Sequence, residues 1–536
     1  MAKRIHFDDV IIGGGSAGCA AAYGLATRTS RKVLLIEAGK DTRTLHTRVP
    51  GFVREAVSRF DWGYVSEPDG SREGRRESWA RGRILGGSSS VNGMMFVRGA
   101  PSDYDRWAGL QNPGWSWRDV APIFAALESS DRPGTGRGHA GPLGVRTVTR
   151  PHPLTRAFLE ASAGAGYPIN DDYNDGDQTG FGLAQLSQRR GMRCSSADAF
   201  IAEIRGRQNF TLWSECEVQR LVFDERGTAT HALCKRAGED IGVSADRIIL
   251  SAGAVGTPKL LLLSGVGDSD ELKALDIPAM IHSPQVGRNL MEHPLVRLVF
   301  ETSIGSRNPL GFGQSLRELA EFVLHREGLL AGAFEAAGFV KSDEGLTHPD
   351  LQYHFLPIGV QDAVTHAESV LKVPSFTIYA NLSYPKGRGR LQLTSNDPNA
   401  APRLFPDLLG GGEGDITALV NAIKIARRIV QAPAMRELVK QEVTPGPQIQ
   451  TEAHLRDHVR RNTEIAYHIA GTCRMGSDAQ AVVSPDLKLN GATNVWLADA
   501  SIFPELISGN TNAACMMIGM KLAWALAGTR SASVAA

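Results

Sequence analysis

Apolar and polar positions follow two different rhythms along the chain, and they mark where its parts begin and end. The apolar run Val10-Ile11-Ile12 stops at Gly13-Gly14-Gly15, a pattern of small residues at helical spacing covers 19–27, and Lys32-Val33-Leu34-Leu35-Ile36 leads to Glu37. That order predicts a strand, a tight turn, a helix and a second strand, the opening of an α/β sheet. Short strand-like runs recur at 210–213, 218–223 and 247–250, and again late in the chain at 494–498, ending at Asp499. Nucleotide-type strand-to-loop elements therefore stand at both ends with different material between them, which predicts one domain built from discontinuous segments and a second domain inserted into it. From about 300 to 468 the pattern changes. Residues 315–325 put Leu316, Leu319, Phe322 and Val323 on one helical face, with Arg317, Glu318 and Glu321 elsewhere. This predicts a helix covering the core of the second domain, with an apolar face docked on a membrane as the alternative. Segments 351–355, 376–382 and 389–393 read as strands.

A chain of 536 residues has room for two or three domains and a large core. Its apolar fraction of 42% and charged fraction of 21% are those of an ordinary globular protein. A net charge of +1 gives no support for nucleic acid as a partner. Cys19, Cys194, Cys216, Cys234, Cys473 and Cys515 are scattered without CxxC pairs, which argues against a zinc site or a disulfide framework. The first strand starts too early for a signal peptide, and no run reaches the roughly 18 apolar residues of a membrane span. The expected location is the cytoplasm, with peripheral membrane contact left open and the oligomeric state unread.

The glycine turn carries chemistry. In a strand–turn–helix, Gly13 permits the tight turn, Gly15 lets the backbone approach a pyrophosphate, and Gly18 lets helix and strand pack closely. Amides at the helix start, around Ser16, face phosphate oxygens. Glu37 stands at the distance where an acid bonds a ribose hydroxyl. Gly14-Gly15-Ser16-Ala17-Gly18 also fits the G-x-S-x-G elbow of a serine hydrolase using Ser16, but that elbow normally follows several strands and gives no reason for Glu37. A turn with no ligand is the plainer alternative. The segment 81–93, with Gly86, Ser88, Asn92 and Gly93, offers many donors and little bulk to a ligand. Two more segments stand out: Tyr467-His468-Ile469-Ala470-Gly471, and Asp499-Ala500-Ser501 continuing to Ser508-Gly509-Asn510-Thr511-Asn512. Residues alone reach a two-domain, nucleotide-dependent oxidoreductase, with His468 one candidate base among 14 histidines.

The glycine turn with Glu37, GRILGGSSSVNG, SAGAVGTPKLLLLSGVG, YHIAGTCRMG and DASIFPELISGNTNAA together resemble the glucose–methanol–choline (GMC) oxidoreductases, in order and spacing over essentially the whole chain. VGRNL, LQYHFLP and SGNTNAACMMIG are similar to the branch of choline-dehydrogenase-like and aliphatic-alcohol-dehydrogenase-like enzymes. The resemblance implies an FAD-binding domain (1–150, 205–300 and 480–536) and a substrate-binding domain (151–204 and 301–479) on a mainly antiparallel sheet flanked by helices. It implies oxidation of a primary alcohol to an aldehyde, with choline dehydrogenase as the runner-up and a catalytically silent flavoprotein as a further reading. His468 takes the place of the general base and Asn510 that of its partner. Gly13, Gly15, Ser16, Gly18, Glu37, Ala38, Gly86, Ser88, Asn92, Gly93, Val218, Ala252, Asp499, Ala500, Thr511 and Asn512 fall where FAD is held. Val91 stands where some members attach the flavin through a histidine, so FAD is expected to be non-covalent. Glu335, His354 and Tyr467 are candidates for the substrate cavity, and no metal is expected. The electron acceptor, whether a quinone, another acceptor or O2, is not specified.

Overall fold

The computed structural model describes residues 3–308, 311–361 and 369–528. Strand Lys3–Ile12 sits in the middle of a seven-stranded sheet. Val33–Ile36 and Phe210–Trp213 run parallel on one side of it, and Glu239–Leu250 runs parallel on the other. That last strand is long and changes partner along its length. Its first half pairs antiparallel with Ala229–Arg236, which continues to Cys216–Phe223, and its final residues pair parallel with Val495–Leu497. The distant 495–497 segment thus completes a sheet begun at residue 3, and the expected discontinuity is real.

The small-residue pattern after the glycine turn has a packing cause. Helix Ser16–Arg28 lies against helix Asn512–Leu526 so closely that a Cβ on Gly24 would stand 2.6 Å from Ala523 Cβ, and one on Gly519 would stand 2.1 Å from the Ala17 carbonyl oxygen. Larger side chains at these positions would force the helices apart.

The second sheet is antiparallel, in the order Val439–Thr444, Pro294–Thr302, Ser375–Leu382, Leu351–Leu356, Ala336–Val340 and Gly180–Leu183, with Glu464–Ile465 pairing at the start of Pro294–Thr302. Successive side chains of a strand point to opposite faces. Tyr353, Phe355, Ile378, Ala380, Leu298 and Phe300 form one face and share a core with helices Pro153–Gly164 and Glu413–Val430. Gln352, His354, Tyr379 and Asn381 form the other, which turns toward the nucleotide-type sheet.

Two expectations change. The helix at Phe312–His325 forms, but it does not cover a core with its apolar face: Leu316, Leu319, Val323 and Leu324 are exposed, and only Phe322 among the expected residues is buried. Its acids face inward instead, Glu318 to Arg307 and Glu321 to Arg150. Strand Pro294–Thr302 belongs to the antiparallel sheet although the expected division at 300 put most of it with the nucleotide segments, while Phe200, Ile201 and Ile204 pack into the nucleotide-side core. Residues 1, 2, 309, 310, 362–368 and 529–536 of the expected division lie outside the described residues. Among the described residues, no helix is long and apolar enough to cross a membrane.

Candidate active site

A cavity of about 1400 Å3 lies between the two sheets and is lined from both. On the nucleotide side, two glycines of the turn after Lys3–Ile12 have no room for a side chain. Gly13 has φ +103°, and a Cβ there would lie 2.4 Å from the Ser251 carbonyl oxygen. A Cβ on Gly18 would lie 1.9 Å from the Gly13 carbonyl oxygen. At Gly15 the nearest such atom is 4.0 Å away, so its space opens into the cavity, where a phosphate group can approach the backbone. Glu37 accepts the amides of Gly14 (2.8 Å) and Gly39 (2.7 Å), and burial pushes its carboxyl up to about 7. The second glycine segment packs against the first: the Gly86 amide donates to the Gly14 carbonyl (2.7 Å), and a Cβ on Gly87 would be 2.8 Å from Gly15 Cα.

Ser16 donates to Asn512 Oδ1 at 2.6 Å, tying the start of the first helix to the start of the last. That hydroxyl is thus engaged with an amide oxygen and not with a histidine, which removes the geometric basis of the hydrolase reading. Asp499 caps the loop before helix Gly253–Leu263, accepting from the Gly253 amide (2.9 Å), Thr257 Oγ1 (2.6 Å) and the Ser501 amide (2.8 Å). Gly13, Gly15, Ser16, Glu37, Ala38, Ser88, Asn92, Gly93, Val218, Ala252, Asp499, Ala500, Thr511 and Asn512 all line the cavity. Gly18 and Gly86 do not; they shape the two turns from behind. The glycine cradle and the space beside it fit a dinucleotide.

The chemistry concentrates at the other end. His468 Nε2 lies 2.9 Å from Asn510 Nδ2, and His468 Nδ1 lies 2.9 Å from His293 Nδ1. The protons can be assigned from the partners. His293 Nε2 is 3.1 Å from the Ser383 carbonyl oxygen, which can only accept, so Nε2 carries the His293 proton. His293 Nδ1 is then an acceptor and His468 Nδ1 must donate to it. This leaves a lone pair on His468 Nε2, facing the Asn510 amide. Asn510 is oriented in turn, because its Oδ1 accepts from Gln352 Nε2 at 3.0 Å, which directs Nδ2 to the histidine. Gln352 Oε1 accepts from its cross-strand neighbour Asn381 at 3.3 Å.

Backbone geometry holds the imidazole in place. Glu292 Oε1 accepts the amides of both His293 (2.9 Å) and His468 (2.6 Å), and Tyr467 takes φ +65° immediately before His468. A left-handed aromatic residue costs roughly 1–3 kcal/mol and persists where its surroundings impose it. Burial, reinforced by His293, His354 and Arg81, holds the His468 imidazolium well below the usual histidine range. Burial holds His293 and His354 down to about 4. His468 is therefore neutral near pH 7 and able to accept a proton.

The three substrate-cavity candidates divide. His354 and Tyr467 line the cavity; Glu335 does not. Its Oε1 accepts from Arg307 Nε (2.6 Å), and its Oε2 accepts from Thr155 Oγ1 (2.6 Å) and the His152 amide (2.7 Å), so the carboxylate is spent inside the second domain. This corrects its expected place at the substrate. Glu292, His293, Gln352 and Asn381 had escaped the sequence reading. The signal for Gln352 was present: in Leu351-Gln352-Tyr353-His354-Phe355, the two polar residues share a face that apolar neighbours leave.

Fold and site define an oxidoreductase built around a dinucleotide, with a buried, neutral histidine at the far end of the cleft. Family patterns described as GMC oxidoreductase match residues 7–295 and 385–519, and the chain belongs to that family. It is 35% identical over 525 residues to an alcohol dehydrogenase [acceptor] of Pseudomonas putida, covering 96% of this chain and 94% of that one. It is 36% identical over 530 residues to an oxygen-dependent choline dehydrogenase of Sinorhizobium fredii, with the same coverage. Among solved structures, pyridoxine 4-oxidase from Mesorbium loti superposes with a TM-score of 0.88 at 29% identity, covering 96% of this chain and 98% of that one. A formate oxidase of Aspergillus oryzae, described with its FAD, gives 0.90 at 25% identity, covering 98% of each. FAD is the dinucleotide that this family membership supports.

Proposed function

We propose that the chain oxidises a primary alcohol to an aldehyde, with non-covalent FAD in the glycine cradle and His468 Nε2 as the general base. One observation carries the reading: the hydrogen-bond relay from Ser383 through His293 leaves an unprotonated, cavity-facing Nε2 on His468, beside an amide donor. Bound FAD supplies an acceptor for the hydride that leaves the alcohol carbon.

The protein's part is proton chemistry and placement. An alcohol oxygen that replaces the direct Asn510–His468 bond gives its proton to Nε2 and receives a hydrogen bond from Asn510 Nδ2. A positioned base of this kind is worth about 10²–10⁴ in rate. Once protonated, His468 carries positive charge in a dry pocket, where it stabilises an alkoxide-like transition state. Its Nδ1 proton stays on the bond to His293, so a single nitrogen does the work. Gly13, Gly15, Ser16, Glu37, Ala38, Ser88, Asn92, Gly93, Val218, Ala252, Asp499, Ala500, Thr511 and Asn512 hold the cofactor, with Gly18 and Gly86 setting the turns. Val91, buried at the wall beside Asn92, offers no atom for a covalent link.

The boundary between an FAD unit and a substrate unit falls at the start of strand Pro294–Thr302, and 197–204 belong to the FAD unit on packing. The acceptor that reoxidises the flavin is a quinone, another acceptor or O2. We place the enzyme in the cytoplasm, and the outward apolar face of Phe312–His325 supports peripheral contact with a membrane.

The test is direct. Purified protein should be yellow, lose its flavin to the supernatant on acid precipitation, and bleach anaerobically when a primary alcohol is added. A colourless protein with esterase activity would restore the hydrolase reading. A yellow protein that no alcohol bleaches would be a silent flavoprotein. Re-admitted air then reports the acceptor: peroxide formed at the turnover rate marks O2.

A further inference from the structure

On the side of the cavity away from the glycine cradle, the wall is almost wholly hydrocarbon. Leu356, Ile358 and Val360, with Leu329, Phe334 and Val370, form one packed apolar cluster, and every one of them lines the cavity. The cluster continues the strand that carries Gln352, the residue orienting Asn510. Gln352, His354 and Leu356 are alternate residues on one face, so the apolar wall begins at Leu356, roughly 13 Å along the strand from Gln352, at about 3.3 Å per residue. A substrate held by its hydroxyl at His468 has the rest of its body against this wall.

Among the described residues beside the cluster, the buried acids are already paired. Glu464 lines the cavity, but its carboxylate is bonded to Arg297 at 2.8 Å, with both side chains nearly buried. Glu335 is turned away into its bonds with Arg307 and Thr155. His354 adds no charge, since burial keeps it neutral near pH 7. Among the described residues, an ammonium group set against this cluster would lose its water and find Glu464 already paired, while Glu55, a solvent-exposed acid that also lines the cavity, offers only a screened charge, which leaves a heavy penalty in a low-dielectric site. The faces of Phe334 and Tyr379 offer it only a cation–π contact, a smaller effect than that desolvation.

We infer that the apolar cluster of Leu329, Phe334, Leu356, Ile358, Val360 and Val370 selects an uncharged alcohol with an extended aliphatic or aryl body, and rejects a cationic one of the same shape. The inference deepens the alcohol-oxidation reading and rests on it.

An isosteric pair tests it. Choline and 3,3-dimethyl-1-butanol have the same shape and differ in one positive charge. Anaerobic flavin reduction by the holoenzyme should give kcat/KM at least about a hundredfold higher for the neutral alcohol. Within straight-chain primary alcohols, kcat/KM should rise about two- to fourfold for each methylene until the wall is covered, as expected for apolar area leaving water. Ile358→Glu should narrow the ratio between the isosteric pair, a comparison within one variant that cancels any general loss of activity. The wild-type ratio decides the matter even where that variant does not fold. A ratio below tenfold, or a flat chain-length series, overturns the inference while leaving alcohol oxidation intact. If no alcohol in either series bleaches the flavin, the parent reading falls and takes this one with it.

Discussion

The Nδ1 atoms of His293 and His468 lie 2.9 Å apart, with their rings nearly perpendicular at 82°. Two imidazoles joined through the same kind of nitrogen can share only one proton on that bond. The Ser383 carbonyl decides which ring supplies it. His293 thus sets the tautomer of His468 without facing the substrate itself, a positioning role reached only through its neighbour.

Replacing His293 should therefore impair proton abstraction and leave cofactor binding alone. His293→Leu is expected to slow flavin reduction by roughly tenfold or more, whereas His293→Gln, whose amide can accept from His468 and donate to Ser383, should recover much of the loss. Stopped-flow reduction under anaerobic conditions measures both. Equal rates in the leucine and glutamine variants would show that the tautomer is fixed by something else.

Removing the base itself has a larger effect. His468→Ala should cost about two decades or more in flavin reduction and still purify with FAD. Asn510→Ala should cost less, because Asn510 donates a hydrogen bond but moves no proton. Wild-type reduction rates in the His468 variant would dismiss it as the base.

The glycine cradle makes a stability prediction. In Gly18→Ala the added carbon would stand 1.9 Å from the Gly13 carbonyl oxygen, a clash with backbone that cannot swing aside. Overpacking of this kind costs typically about 1–3 kcal/mol, and here it also displaces the turn facing the phosphates. A lower melting temperature and substoichiometric flavin are expected, by scanning calorimetry and by the ratio of flavin to protein absorbance. Full flavin content at an unchanged melting temperature would remove the close-packing argument.

Acid should destabilise the protein through its buried imidazoles. His293 and His354 titrate near 4 when folded, against an ordinary value of 6.5, because burial opposes their charged forms. Between those values the unfolded chain binds more protons than the folded one, so stability falls as pH drops from about 6.5 toward 4. Above 6.5 this contribution is fully present. Melting temperature against pH gives the slope, and His354→Phe should make it shallower. An unchanged slope in that variant would mean that the ring is not held neutral by burial.

Much of this could be read from the chain, and the reasons for the remainder are physical. The glycine turn is legible because strand, turn, helix and acid are close in sequence and each has a local cause. The pairing of Val495–Leu497 with Glu239–Leu250 was foreseen only as a second strand-to-loop element, since register between distant segments leaves no local trace. Glu335 and the Phe312–His325 helix misled for one reason: an acid or an apolar stripe shows what a residue can do, while partners far along the chain decide which way it faces. Arg307 draws in both Glu335 and Glu318, and so turns Leu316 and Leu319 outward. His293 was hidden because its role exists only through contact with His468 and Ser383, at separations of 175 and 90 residues.

Strand Leu351–Leu356 separates two kinds of constraint within a single stretch of backbone. Odd-numbered Tyr353 and Phe355 are locked among the helices of the second domain, while even-numbered His354 and Leu356 line the reaction chamber and Gln352, on the same face, is buried behind Asn510. Preference among alcohols can therefore drift, or be redesigned, at every second position while the scaffold beneath keeps its fit. A library confined to the even positions beyond Gln352 should yield folded proteins with altered selectivity far more often than one spread evenly over the same residues.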